Sequence, residues 1–135
     1  MRVHHLNCAT MTPLIVGRIV CHVLLCESTD GLVLVDSGFG SADCADHSRI
    51  GPAHLLLNAR FSEAETAARQ VEALGYARSD VRHIVVTHFD LDHVGGLSDF
   101  PHATVHTTAV EFDTANHPPT WVERHRYRSK HSAVA

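Results

Sequence analysis

The four cysteines of this 135-residue chain, Cys8, Cys21, Cys26 and Cys44, include no C-x-x-C pair and follow no secretory signal. Reduced thiols in a cytoplasmic protein are therefore expected, packed as small core hydrophobes. There is also no apolar run long enough to span a bilayer: Pro13 to Cys26 is interrupted by Arg18 and His22 and reads better as a buried strand. A basic excess is missing too. Eleven Lys and Arg stand against 15 Asp and Glu, a formal charge of -4, without the clustered positive surface that nucleic acid or an acidic membrane demands. A small-molecule substrate fits better. Internal repeats, low-complexity tracts and Gly/Ser linkers are absent, so one domain is expected.

What remains is ordinary with one exception. A composition 44% hydrophobic and 19% charged describes a soluble globular domain, at the small end for an enzyme that must also build a deep pocket. The exception is 13 histidines, which favour metal chemistry only if some converge in space.

The elements alternate in type. RVHHLNC and, from Arg18, RIVCHVLLCES are rich in apolar and β-branched residues, and Thr29-Asp30-Gly31 supplies turn chemistry before LVLVD, predicting a β-hairpin that ends at Asp36. Ser62 and Glu65 have capping-box spacing. Small or apolar residues recur at Ala64, Ala67, Ala68, Val71 and Leu74 before Gly75, which predicts a helix from Ser62. The run VRHIVVT, Val81 to Thr87, predicts a strand buried on both faces, and ATVHT from Ala103 another.

Directly after the Val81 strand comes HFDLDHVGG, with His88, Asp90, Asp92 and His93 inside six positions. Loops at the carboxyl ends of buried strands are where α/β sheets place ligand sites. In an extended segment His88 and Asp90 project to one side, and a turn or helix start at Asp92 brings Asp92 and His93 around, so four donors converge. Gly95 and Gly96 let backbone pass close by. Three blander readings compete. A calcium loop counted from Asp90 fails, because Val94 takes its fifth position and Pro101 the place of the closing Glu. Helix capping by Asp90 or Asp92 explains one acid but not four residues. A polar surface turn explains the composition but not the spacing.

The block resembles the H-x-H-x-D-H signature of metallo-β-lactamase-fold hydrolases, and VLVDSGFG resembles that family's second motif, with Asp36 at the place of its structural aspartate. Both motifs lie in the family's order, and the resemblance runs to about Tyr127, nearest the lactonase and glyoxalase-like branch. It implies an α/β, metallo-β-lactamase-like αβ/βα sandwich and a metal-dependent hydrolase. Carried over, His88 matches a ligand of the first metal, Asp90 stands where that metal has its second histidine, and Asp92 and His93 match ligands of the second. Asp92 is then also the acid that handles a proton in catalysis. Zinc is the expected ion, one or two of them, although carboxylate in place of imidazole at Asp90 makes iron or manganese more competitive.

The resemblance also implies later ligands: a further histidine, a bridging aspartate and a last histidine. None is recognisable. His102, His106, His117, His125 and His131 lack the Gly-flanked context of the family's third ligand, and Asp113 falls in EFDTAN, which reads as a helix too early for a bridge. TWVERHRYRSKHSAVA ends without a closing element, and its Arg124, Arg126, Arg128 and Lys130 read as a solvated tail rather than a nucleic-acid contact. MTPLIVGRIVCH suggests a shortened loop between the first two strands. The chain is thus expected to be the amino-terminal half of the sandwich, with a partial site and one sheet face left open to self-association or a partner chain. Two functions follow: a hydrolase of ester, lactone or thioester bonds, or a catalytically silent module that binds at most a metal or a partner.

Overall fold

A computed structural model describes residues 1–51, 53–118 and 120. Strands β1 (Val3–Met11), β2 (Ile19–Ser28), β3 (Gly31–Val35), β4 (Ala59–Arg60), β5 (Val81–Val85) and β6 (Thr104–His106) form one sheet in the order β4-β1-β2-β3-β5-β6. β1, β2 and β3 pair antiparallel, and Ser28 faces Gly31 across the hairpin turn. β3 pairs parallel with β5, and β5 with β6. The parallel pairings need crossovers, supplied by the short helices α1 (Ser41–Ala45), α2 (Ala53–Leu57), α3 (Ala67–Ala73) and, after β5, α4 (Leu91–Val94). Helix α5 (Ala109–Asn116) follows β6. This mixed α/β arrangement bears out the expected fold class.

The core lies on one side of the sheet. Leu6, Cys8, Val23, Leu25, Leu34 and Ile84 point inward, in one buried cluster with Ala67, Ala68 and Val71 of α3. The opposite face is open among the described residues. Two cross-strand rows run over it, Val3-Cys26-Val33-His83-Thr104 and His5-Leu24-Val35-Val85-His106, and none of these ten residues is buried. β5 is therefore not covered on both faces as expected: Val81 and Ile84 are buried, but Arg82 and Val85 are exposed. The continuous apolar run in its sequence has its outward half in solvent.

Two further expectations are corrected. The helix does not start at Ser62. Glu63–Glu65 form a separate 3-10 turn, Thr66 is extended, and its hydroxyl accepts from the Arg69 N–H to cap α3. The Glu65 carboxylate is engaged elsewhere, accepting from the Thr10 N–H beside an irregularity in β1, so it cannot close a box with Ser62. Gly75 does stop the helix, at φ +91. The Pro13–Cys26 run is not one buried strand, since Leu14 and Ile15 are almost fully exposed in the loop before β2.

Candidate metal centre

The site begins with a backbone choice at Asp36. Leaving β3, the chain takes a left-handed conformation there, φ +62, which aspartate tolerates better than most residues. The turn drops the Asp36 side chain beneath the end of β5. Its carboxylate accepts from the Thr87 N–H (2.8 Å), the Thr87 hydroxyl (2.7 Å) and His93 Nδ1–H (2.8 Å). Burial alone would raise the Asp36 pKa, but the bonds from His93 and Thr87 outweigh it and hold it below its ordinary value.

Asp36 orders both histidines. The Thr87 hydroxyl has one proton and donates it to Asp36, so its oxygen accepts from His88 Nδ1–H at 2.9 Å. With both Nδ1 atoms donating, both imidazoles present Nε2 to the site. His88 Nε2 lies 3.3 Å from Asp90 Oδ2, and His93 Nε2 lies 3.6 Å from Asp92 Oδ2, while the two rings pack with centroids 3.9 Å apart. An unprotonated Nε2 facing a carboxylate oxygen sets acceptor against acceptor. Only a proton or a cation between them satisfies both. On His93 burial disfavours the proton, but the Asp36 bond and the charges of Asp92, Asp36 and Asp90 prevail and raise the pKa.

At the end of β5 the structure sets these residues as two pairs, His88 with Asp90 and His93 with Asp92, joined by the ring contact. The four ligand atoms do not converge on one point, and among the described residues the ligand atoms that lie within 4.8 Å of one another are those of Asp92, His93 and Cys21. Asp90 occupies the cap position of α4 but makes no side-chain cap bond, which removes the capping explanation for that acid. Asp92 and His93 lie in the first turn of α4. A second backbone contact fixes this turn, because Ser37 donates its N–H (2.8 Å) and hydroxyl (2.9 Å) to the His93 carbonyl, and Gly96 N–H donates to the Gly38 carbonyl (2.9 Å). The VDSGFG and HVGG segments therefore meet main chain to main chain.

Sequence reasoning missed Cys21. Buried on β2, it donates its thiol to the Asp92 carbonyl, and Cys21, Asp92 and His93 each offer one ligand atom within 4.8 Å of the others. Only the sheet register places it there, 71 residues from Asp92. Burial, then the charges of Asp92, Cys8 and Asp36, push its thiol well above the ordinary value. The downstream histidines are elsewhere: His106 bonds His83 on the open face, and His117 bonds Asp113 on the exposed α5. His125, His131 and the basic run lie outside the described residues.

Residues 16–132 match the family described as the metallo-beta-lactamase superfamily. The chain belongs to that superfamily. Over 128 residues it is 57% identical to a probable metallo-hydrolase of Mycobacterium tuberculosis, a match covering 95% of this chain and 41% of that relative. It is 40% identical over 52 residues, 38% of this chain and 19% of the other, to an N-acyl homoserine lactonase of Rhizobium johnstonii. Among solved structures, an N-acyl homoserine lactone hydrolase with N-hexanoyl-L-homoserine at its catalytic metal center shares the fold, with TM-score 0.72 and 16% identity over 96% of this chain and 55% of that one. The chain thus spans less than half the length of the mycobacterial superfamily member.

Proposed function

We propose that this superfamily domain contributes His88, Asp90, Asp92 and His93 to a divalent metal centre that hydrolyses an ester, lactone or thioester bond. The observation that carries it is the pairing of each Nε2 with a carboxylate oxygen, His88 with Asp90 and His93 with Asp92, while Asp36 holds both imidazoles in the ligating tautomer. A carboxylate behind a histidine is how proteins orient metal-binding imidazoles. A bound divalent ion supplies Lewis acidity and lowers the pKa of water toward neutrality. The chain's own residues do the rest: Asp36 and Thr87 orient the donors, and Asp92 is the acid placed to accept a proton from the attacking water. Zinc is the expected ion, with iron or manganese as competitors for the His88–Asp90 position, and lactonase relatives favour a small lactone or ester as substrate.

The test is metal content after dialysis against zinc, iron and manganese. The parent should retain a transition metal, and the double variant His88→Ala/His93→Ala should retain none. Equal retention in both would remove these residues from the site.

A second reading is favoured by the open sheet face: a metal-binding module without turnover, whose exposed rows pack against a second copy of the chain. No helix among the described residues is long and apolar enough to cross a membrane. The free thiols fit a cytoplasmic location.

A further inference from the structure

The proposed centre uses donors from one loop, yet the sheet delivers another from 71 residues away. We propose that Cys21 is a metal ligand, completing with Asp92 and His93 a thiolate-containing position distinct in character from the His88–Asp90 pair. The inference rests on the metal-centre reading above and extends it to a residue and a metal preference.

Three observations converge. Cys21, Asp92 and His93 each have one ligand atom within 4.8 Å of the other two. Donors about 2.0–2.3 Å from a common ion are at most about 4.5 Å apart, so a small side-chain adjustment closes the set. The His93 imidazole is already committed, its Nδ1–H held by Asp36 at 2.8 Å, which leaves Nε2 as its one ligating atom, 3.6 Å from Asp92 Oδ2. The thiol is not free to turn away: Cys21 lies on the inward face of β2 and is anchored to the Asp92 main chain, the residue that also offers the carboxylate.

A buried cysteine is more often a small hydrophobe, and Cys8 has that character. It lies against Gln70 at 3.5 Å, with burial pushing its thiol up to about 12. Cys21 differs in sitting with an imidazole and a carboxylate whose ligating atoms converge on the same place. On ligation the S–H proton passes to solvent, the thiol's hydrogen bond to the Asp92 carbonyl is given up and sulfur donates to the ion instead, so uptake at this position releases a proton from Cys21. A sulfur, nitrogen and oxygen set favours zinc, cobalt and cadmium over manganese, magnesium or calcium, whereas His88 with Asp90 is the harder pair. Two positions of unequal softness follow.

Cobalt(II) reports sulfur ligation directly, because a thiolate on cobalt adds a charge-transfer absorption in the near ultraviolet that nitrogen and oxygen ligands do not. The purified 135-residue chain, stripped and loaded with cobalt, should show this band. Cys21→Ser and Cys21→Ala should lose it and bind cobalt at least about 10-fold more weakly, with manganese binding little changed. Cys26→Ser and Cys44→Ser should keep it. A parent that binds cobalt without the band, or a band that persists in Cys21→Ala, overturns the thiolate ligand while leaving the metal centre standing. A parent that binds no cobalt overturns both. The parent spectrum decides even if a Cys21 variant fails to fold.

Discussion

His93 Nδ1–H donates to the Asp36 carboxylate across 57 residues of chain, at 2.8 Å. That bond joins the end of the β3 hairpin to the first turn of α4, and the same carboxylate reaches His88 through the Thr87 hydroxyl. One buried acid therefore sets the orientation of two candidate ligands and fastens the loop that carries them.

Replacing it should damage fold and site together. Asp36→Ala leaves the Thr87 N–H and His93 Nδ1–H without their acceptor and places alanine at φ +62, so the expected cost is about 2–4 kcal/mol. Zinc retention should fall as well. A variant with unchanged melting temperature and metal content would remove Asp36 from this role.

The same pair predicts a pH dependence in the metal-free chain. His93 is raised in the fold, so its contribution is fully present below its unfolded value, about 6.5, and is lost as pH rises through the folded value. Asp36 is lowered, so its contribution is present above its unfolded value, about 3.9, and is lost as pH falls through the folded value. The stability difference between the EDTA-treated parent and Asp36→Asn should therefore be largest between about pH 4 and about pH 6.5. Thermal unfolding across that range checks it, and a difference independent of pH rejects it.

Glycine at the close approach should be as critical as the ligands. A Cβ on Gly96 would overlap the Ser37 main chain, and one on Gly95 would overlap the fully buried Asp43 carboxylate, which accepts from Gly40 N–H and Arg49. Gly96→Ala should cost about 1–3 kcal/mol and loosen metal binding. Gly75→Ala, with open space but φ +91, should cost only about 1 kcal/mol of backbone strain and leave metal retention unchanged. Equal effects on metal retention would argue that the contact does not position α4.

Much of this was legible because it is local. The cluster His88 to His93 lies within one loop and was found from its spacing, whereas Asp36 was singled out by the resemblance of VLVDSGFG to the superfamily's second motif. The helix start was misplaced because Glu65 answers to Thr10, 55 residues earlier, rather than to Ser62. Cys21 went unseen for the same reason, since only the pairing of β2 with its neighbours sets it beneath Asp92. The two-sided burial expected of β5 failed because periodicity reports the side chains of a strand and not how many layers cover them.

Those uncovered rows predict association. Val85 and Val20 are exposed among partly exposed Leu24, Val33 and Val35, an apolar surface that soluble domains bury against something. The 135-residue chain should sediment as a dimer or larger species at micromolar concentration, and Val85→Lys should shift it toward monomer without changing zinc retention. A monomeric parent at those concentrations would refute the interface.

The last expectation concerns turnover. A catalytic zinc takes about three protein ligands and one open position for water. Among the described residues, His88 with Asp90 gives two, and Asp92 with His93 reaches three through Cys21. An ion held by two donors leaves the attacking water poorly aligned with a carbonyl, and the gain from positioning, worth several kcal/mol in well-formed sites, is largely lost. The 135-residue chain, assayed with zinc, iron or manganese against lactones, thioesters and aryl esters, should therefore show weak turnover or none while still binding metal. Strong metal-dependent hydrolysis that vanishes in His88→Ala would overturn this expectation, and would require that a second copy or residues beyond those described supply the remaining ligands.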